Sequence, residues 1–186
     1  AIVTLFCENG ADVTFCDIDS AAGKKLSSEL SSYKCSYHEA DISDAAALEH
    51  SVNRVIDEKG DIDVIINNAG VSRFNSILDI TTEEFDKVLN INLRPAFITA
   101  QTLARHRDAN PELNTYGRII NMASTRYLMS EPNSEAYAAS KGAIFSLTHA
   151  LAMSLSKYKI IVNSISPGWI ETGNYDSLSD LDHSQH

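Results

Sequence analysis

The sequence predicts an α/β protein organised around a doubly wound parallel sheet. Short β-branched segments alternate with longer helical segments along most of the 186 residues, and this alternation is typical of parallel strands joined by helical crossovers. The segment 62–66 is apolar throughout, as in a strand that is buried on both faces. Polar or turn-forming residues follow the predicted strands, at the edge where such sheets bind ligands.

The first part of the chain opens with a short helix and then contributes three strands. Apolar residues at helical spacing precede Asn9-Gly10, which is a C-terminal stop signal. Because this helix begins without a capping residue, we expect further sequence upstream of Ala1. Strands are predicted at 13–16, 33–37 and 62–66, with helices at 20–31 and 44–59.

The second part of the chain contains two long helices and two strands. Thr81 and Glu84 form a capping-box pattern for a helix over 81–105. Pro95 lies inside this helix and has no N–H, so the carbonyl of Ile91 loses its partner and the helix should be distorted there. Strands are predicted at 117–122 and 160–165, with a helix at 135–156 between them.

Composition and charge exclude several classes of protein. The chain carries 25 acidic against 15 basic residues, a net charge of −10, which disfavours a nucleic-acid partner. No apolar run approaches the length of a membrane span. The three cysteines form no CxxC pair and the histidines lack ligand spacing, so we expect buried reduced thiols, no metal site and a cytoplasmic location.

Asp17 is the first candidate binding residue. A carboxylate at the end of a strand can accept hydrogen bonds from an adenosine ribose, and such an acid usually follows a glycine-rich phosphate loop by about 20 residues. Counting back from Asp17 leads to a position before Ala1, and the sequence contains no GxGxxG motif. The alternative is that Asp17 only begins a turn with Asp19.

Tyr137 and Lys141 are the main catalytic candidates. They are four residues apart in a predicted helix and therefore share one face. A free tyrosine has a pKa of about 10, and a neighbouring cation favours its phenolate form. Ser124 follows a strand and could hold a substrate oxygen, or it could simply cap a turn. The distorted helix near Asn92 could expose carbonyls that hold water, or it could be a kink without a catalytic role.

Together these motifs resemble those of the short-chain dehydrogenase/reductase family. The resemblance extends over about 1–172 and rests on the order and spacing of five elements, which are Asn67-Asn68-Ala69-Gly70, Asn92, Ser124, Tyr137 with Lys141, and the segment from Pro167-Gly168 to Thr172. It implies a Rossmann-type doubly wound parallel sheet with helices on both faces, incomplete at both ends. The chain is therefore expected to be a single dinucleotide-binding and catalytic domain over 1–186, as an internal fragment of a longer subunit.

The resemblance also implies a role for each candidate residue. Tyr137 would be the acid/base and Ser124 would orient the substrate oxygen. Lys141 would favour the phenolate and hold the nicotinamide ribose, and Asn92 would place a water that links Lys141 to solvent. The remaining cofactor-binding positions would be Asp17, Asp41, Ile42, Asn68, Ala69, Gly70, Pro167, Gly168, Ile170 and Thr172.

The family's glycine-rich loop, the strand before it and the final strand are absent from this sequence. Without that first strand, the strands at 13–16 and 62–66 have no common neighbour.

The resemblance predicts hydride transfer between NAD(H) and a secondary alcohol or ketone. NADP is disfavoured because its 2′-phosphate would meet the carboxylate of Asp17, and no basic residue occupies position 18. One alternative is a non-catalytic nucleotide-binding or assembly protein. Another is an epimerase or dehydratase of the extended branch, against which the Asn-Asn-Ala-Gly motif weighs. The residues expected to line the pocket, at 71–75, 127–133 and after Trp169, indicate no single substrate.

The same resemblance implies a homodimer, within a homotetramer, formed through the helices at 81–105 and 135–156. The second helix carries apolar residues on more than one face and therefore needs a second partner besides its own sheet. Ala143, Leu147 and Leu151 lie at helical spacing and could serve either packed face. The alternative is a monomer in which these residues pack on neighbouring loops.

Overall fold

A computed structural model describes residues 1–170 of the chain. Within this range the α-helices are α1 (Ile2–Glu8), α2 (Ser20–Glu29), α3 (Ala45–Lys59), α4 (Thr82–Asn92), α5 (Arg94–Ala109) and α6 (Glu135–Leu155). The strands are β1 (Val13–Asp17), β2 (Cys35–Glu39), β3 (Val64–Asn67), β4 (Gly117–Met122) and β5 (Ile160–Ile165).

The strands form two parallel sheets. β1 pairs with β2, with Val13 opposite Cys35, while β4 lies between β3 and β5. In the described part of the chain β1 and β3 do not pair, which agrees with the expectation that these two strands share no neighbour in this sequence. The predicted α/β class with parallel strands is confirmed.

The main hydrophobic core lies between the three-stranded sheet and two helices. Leu103 of α5, Ile119 of β4, Leu151 of α6 and Ile160 of β5 belong to this cluster, and all four are buried. A second cluster is centred on α3, whose buried apolar residues also contact Ile98 of α5. α5 and α6 are therefore fixed against the sheet, and this arrangement places the start of α6 beside the end of β4.

The predicted helix over 81–105 is two helices instead of one. α4 ends at Asn92, Leu93 separates the two helices, and α5 extends to Ala109. The break lies where Pro95 removes the donor for the carbonyl of Ile91. The capping box is present: Thr81 Oγ1 accepts from Glu84 N at 3.2 Å, and Glu84 Oε2 accepts from Thr81 N at 3.1 Å.

Two strands are displaced along the chain from their predicted positions. The second strand is Cys35–Glu39 rather than 33–37, because its pairing with β1 runs from Cys35 to Glu39 opposite Asp17. The third strand is Val64–Asn67 rather than 62–66, and it ends where Asn67 pairs with Asn121 of β4. Parallel pairing, which local sequence does not encode, sets both boundaries.

Residues 1–170 contain neither a candidate metal site nor a candidate membrane helix. That range holds no group of three His, Cys, Asp or Glu side chains that could bind a metal ion. Its helices include none that is both long enough and apolar enough to cross a membrane. All three cysteines are free thiols, but only Cys7 is buried; Cys16 and Cys35 are half-buried.

Candidate active site

The candidate residues converge at the carboxyl edge of the three-stranded sheet. Because β3, β4 and β5 are parallel neighbours, the segments that follow them begin at the same edge. The exposed residues Asn68, Ala69 and Gly70 follow β3, and Ser124 follows β4. Pro167, Gly168 and Ile170 follow β5. Thr172 lies outside the described residues.

Tyr137 and Lys141 connect the start of α6 to the end of β4. The Lys141 Nζ lies 5.5 Å from the centre of the Tyr137 ring. The same ammonium donates a hydrogen bond of 2.7 Å to the carbonyl oxygen of Met122, the last residue of β4. The helical spacing therefore does bring the phenol and the cation together. The cation contacts the last residue of β4, which lies two residues before Ser124 in the chain.

Burial changes the acidity of Lys141. The residue is only 5% exposed, and burial lowers the pKa of its ammonium from 10.5 to about 8. No ion pair within residues 1–170 includes Lys141. A buried cation without a carboxylate partner is costly, and such groups are concentrated at functional sites.

Asn92 holds the segment after β3 against α6. Its Oδ1 accepts from Val71 N at 2.8 Å, and its Nδ2 donates to the Val71 carbonyl at 2.9 Å and to Ser140 Oγ at 3.0 Å. A Cβ placed on Gly70 would lie 3.1 Å from Asn92 Oδ1 and 3.8 Å from Lys141 Nζ. Glycine at position 70 therefore permits the close approach of these three residues.

Ser124 caps a short turn in this structure. Its side chain is buried, and its Oγ accepts from Arg126 N at 3.2 Å at the start of the 3-10 helix Thr125–Tyr127. This is the capping role that the sequence left open. The hydroxyl acts only as an acceptor among the hydrogen bonds of residues 1–170, so its hydrogen remains able to reach a substrate oxygen.

Asp17 and Asp41 both accept backbone hydrogen bonds at the carboxyl edge of the two-stranded sheet. Asp17 Oδ1 accepts from Asp19 N at 2.9 Å, which is the turn that the sequence allowed. Asp41 Oδ1 accepts from Ser43 N at 2.8 Å, and its hydrogen bonds to the side chain and backbone of Ser43 lower the pKa of the carboxyl group.

The segment around Asp41 is tied to the same helices that carry Asn92. The carbonyl of Ser43 accepts hydrogen bonds from Asn90 Nδ2 in α4 and Arg94 Nη2 in α5. Ile42 packs against the apolar cluster of α3. These contacts link the expected adenine-side residues to the helix break beside Lys141.

Sequence reasoning did not find a row of hydrogen-bonded polar side chains beneath the site. Thr99 Oγ1 donates to Asn67 Oδ1 at 3.1 Å, and Asn67 Nδ2 donates to Asn121 Oδ1 at 2.9 Å. Asn121 Nδ2 then donates to Thr148 Oγ1 at 3.0 Å. This row crosses from α5 through β3 and β4 to α6, so it fixes the two strand ends relative to both helices. Polar residues within apolar strands were its only sequence signal.

Sequence reasoning also gave no specific role to Phe74. Its ring centre lies 6.5 Å from that of Tyr137, at an interplanar angle of 42°. A large apolar residue in a segment otherwise rich in polar residues was the available signal. Phe74 therefore lies directly beside the main catalytic candidate.

Known proteins share both the sequence and this fold. A family profile described as enoyl-(acyl carrier protein) reductase matches residues 1–186. An uncharacterized oxidoreductase of Thermotoga maritima is 38% identical over 196 aligned positions, which cover 100% of this chain and 75% of the relative.

Two solved structures have the same architecture. The crystal structure of a short chain dehydrogenase from Mycobacterium smegmatis matches with a TM-score of 0.82 at 25% identity, over 89% of this chain and 69% of that one. NAD⁺-bound xylitol dehydrogenase matches with a TM-score of 0.80 at 32% identity, over 89% of this chain and 64% of that one. Because the profile match extends over the whole chain and the Thermotoga relative is matched over most of its own length, this chain belongs to the short-chain dehydrogenase/reductase family of oxidoreductases.

Proposed function

We propose that the protein transfers a hydride between NAD(H) and a secondary alcohol or ketone, as a single dinucleotide-binding and catalytic domain. The observation that carries this proposal is the contact of Lys141 with both the Tyr137 ring and the end of β4. An ionisable phenol, a buried cation and the hydroxyl of Ser124 then meet at the edge where ligands of parallel sheets bind.

The proton moves through Tyr137. During alcohol oxidation the phenolate oxygen accepts the hydroxyl proton of the substrate, and the phenol returns it during reduction. The ammonium of Lys141 favours the phenolate by charge attraction, and this attraction is stronger at a buried position than in water. Because its pKa is about 8, Lys141 is mostly charged at neutral pH. Ser124 holds the substrate oxygen by donating a hydrogen bond.

The residues present fit a nicotinamide cofactor. Within residues 1–170 the ammonium of Lys141 makes one hydrogen bond, to the carbonyl of Met122, so Lys141 retains donors that would bind the hydroxyls of a ribose. Asn68, Ala69, Asp41 and Ile42 would lie along the adenosine part, and Pro167, Gly168, Ile170 and Thr172 would contact the carboxamide. The bound cofactor supplies hydride acceptance and donation. The relative bound to NAD⁺ supports this choice, and the carboxylate of Asp17 favours NAD over NADP by repelling a 2′-phosphate.

Asn92 acts as a positioning residue in this proposal. Its side chain holds Val71 and Ser140, and the interrupted helix beside it provides backbone carbonyls for a water that links Lys141 to solvent. Loss of Asn92 would release the segment after β3 without removing a reacting atom.

We also propose that the protein forms a homodimer, within a homotetramer, through the surface formed by α4, α5 and α6. A groove of about 770 Å³ there is lined by residues that include Leu93, Phe97, Ala143 and Leu147, and Phe97 is exposed. Leu151 faces the core instead. Light scattering at micromolar concentration should give at least a dimeric mass, which Phe97→Asp should reduce. A monomeric mass for the unchanged protein would exclude this assembly.

The proposed reaction is tested with Tyr137→Phe. This change removes only the phenolic oxygen, so turnover of every ketone substrate should fall to background while NADH binding, measured by calorimetry, stays within about threefold. Tyr116→Phe is the matched control, because Tyr116 is 52% exposed, precedes β4 at the opposite edge of the sheet and has no proposed proton-transfer role. Retention of most activity in Tyr137→Phe would exclude Tyr137 as the acid/base.

A further inference from the structure

Phe74 is an exposed aromatic residue placed against the proposed acid/base. Its side chain is 56% exposed, and its ring centre lies 6.5 Å from that of Tyr137. A phenyl group in contact with water is unfavourable unless another apolar group covers it. Phe74 is therefore an apolar surface beside Tyr137 that a ligand can cover.

The segment that carries Phe74 is fixed on both sides. The backbone of Val71 makes two hydrogen bonds with Asn92, of 2.8 and 2.9 Å. Asn75 Nδ2 donates to Glu84 Oε1 at 3.2 Å, and Glu84 is itself held by the capping box of α4. Phe74 lies between these two anchors, which hold its segment in place.

The other segments at this edge are apolar as well. Leu128 and Met129 follow β4 and are exposed, and Trp169 and Ile170 follow β5 and are exposed. All three segments that begin at the carboxyl edge of this sheet therefore carry exposed large apolar side chains. Ligand-binding regions are lined mainly by apolar side chains of this kind.

The charged side chains of the segment after β4 do not make this apolar surface polar. Arg126 forms an ion pair with Glu131, so its guanidinium is already neutralised by a neighbouring carboxylate. A polyhydroxylated substrate placed against the Phe74 ring would find no hydrogen-bonding partner in the ring itself. An aryl or branched-alkyl group would instead cover the exposed ring, and the burial of both apolar surfaces would stabilise the complex.

On these grounds, and resting on the proposed function, we propose that Phe74 determines substrate specificity. It forms an apolar wall beside Tyr137 that selects ketones and alcohols with an aryl, alicyclic or branched-alkyl group on the reacting carbon. Burial of that group against Phe74 holds the reacting oxygen at the Tyr137 hydroxyl. Small or polyhydroxylated ketones lack this contact and are poor substrates.

The test compares ketones that differ in one substituent. NADH-dependent reduction of acetophenone, cyclohexyl methyl ketone, acetone and dihydroxyacetone is measured with the full-length protein. The unchanged protein should have the highest kcat/KM for the two bulky apolar ketones, by at least about tenfold. Phe74→Ala should lower that kcat/KM by about 10- to 100-fold, mainly through KM, and change the value for acetone by less than about threefold.

Two further variants separate the specificity role from a structural one. Phe74→Leu keeps an apolar side chain and should retain most of the preference for bulky ketones. Tyr116→Ala removes an aromatic side chain of similar exposure, 52%, just before β4 at the opposite edge of the sheet. It should leave all four kcat/KM values unchanged.

Several results would overturn the assignment of Phe74. They are faster reduction of dihydroxyacetone than of acetophenone, no turnover of either bulky ketone, or an equal loss for acetone and acetophenone in Phe74→Ala. Tyr137→Phe distinguishes these results from failure of the proposed function. If Tyr137→Phe abolishes turnover while Phe74→Ala leaves the preference unchanged, only the specificity proposal fails; if Tyr137→Phe remains active, the proposed function fails.

Discussion

Each edge of the three-stranded sheet contains one almost fully buried cation, and the surroundings of the two differ. At the amino edge, Arg107 is 4% exposed and donates hydrogen bonds to Thr115 O at 2.7 Å, to Lys159 O at 3.3 Å and to the carboxylate of Asp61 at 2.5 Å. At the carboxyl edge, Lys141 is 5% exposed and donates to the carbonyl of Met122. Within residues 1–170, the charge of Arg107 is neutralised by a carboxylate and the charge of Lys141 is not.

The contacts of Arg107 join the chain segments that enter the sheet. Asp61 precedes β3, Thr115 precedes β4 and Lys159 precedes β5, so a single guanidinium holds three strand starts together. The planar guanidinium is suited to this task because it presents several donors in fixed directions. The amino edge is therefore stabilised by its buried charge.

At the carboxyl edge, the buried charge of Lys141 lowers the stability of the fold. Its burial lowers the pKa of the ammonium to about 8, which means that the folded protein pays free energy to keep it charged at neutral pH. Stability alone gives no reason to retain such a group. A buried cation therefore indicates a functional role when its neighbours do not neutralise it, and a stabilising role when they do.

The largest expected effect is on turnover by Lys141→Met. This change keeps much of the side-chain volume and removes the charge, so kcat/KM should fall by about 1000-fold. The free energy of unfolding at pH 7 should stay within about 1 kcal/mol, because lost desolvation cost offsets the lost hydrogen bond to Met122. Steady-state kinetics and urea unfolding measure the two quantities. An unaltered kcat/KM would contradict the assignment of Lys141 to chemistry.

The next largest effect is on stability, at the amino edge. Arg107→Met removes the guanidinium from the Asp61 carboxylate and leaves the His106 Nε2 beside it at 3.4 Å, so it should lower the free energy of unfolding by about 3 kcal/mol. Arg118→Met is the matched control, because Arg118 is exposed, and it should change stability by less than about 0.5 kcal/mol. Equal urea midpoints for the two variants would show that Arg107 does not hold the amino edge together.

Substitutions at two glycines should have smaller effects, one at each edge of the sheet. A Cβ on Gly70 would lie 3.1 Å from Asn92 Oδ1, and a Cβ on Gly117 would lie 3.1 Å from the Arg107 guanidinium. Gly70→Ala should therefore lower kcat/KM by about tenfold with little loss of stability. Gly117→Ala should destabilise by about 1–2 kcal/mol with little effect on kcat/KM of the folded protein. If Gly70→Ala and Gly117→Ala changed kcat/KM and the free energy of unfolding to the same extent, the two edges would not differ in role.

The smallest expected effect concerns Asp17, at the carboxyl edge of the other sheet. Asp17→Ser removes the charge that repels a 2′-phosphate. The ratio of kcat/KM for NAD to kcat/KM for NADP should therefore decrease by a factor of about 3 to 10. The effect is modest because the carboxylate is exposed and screened by salt. A ratio that does not change, or a preference of the unchanged protein for NADP, would contradict this role of Asp17.

The sequence predicted the carboxyl edge much better than the amino edge. Tyr137 and Lys141 are four residues apart in one helix, so helical geometry alone makes them neighbours. The break near Leu93 followed from the chemistry of Pro95. Such local relations can be read from the sequence without knowledge of the tertiary fold.

The unpredicted contacts join residues that are far apart in the chain. Arg107 lies 46 residues from Asp61 and 52 from Lys159, and in the sequence it is only a basic residue near a helix end. The contact of Phe74 with Tyr137 likewise depends on how the segment after β3 is anchored by Asn92. Side-chain contacts of this kind depend on tertiary packing, which single-sequence patterns do not contain.

The pH dependence of the stability difference between the unchanged protein and Lys141→Met reports directly on the buried charge of Lys141. Burial lowers the pKa of Lys141 to about 8 from the ordinary lysine value of 10.5, so between about pH 8 and pH 10.5 the unfolded chain holds a proton that the folded protein has released. Stability of the unchanged protein relative to Lys141→Met should therefore rise over this interval, by about 3 kcal/mol, and stay constant below it. A difference that does not change between pH 7 and 10.5 would contradict the claim that Lys141 is a buried and unneutralised cation.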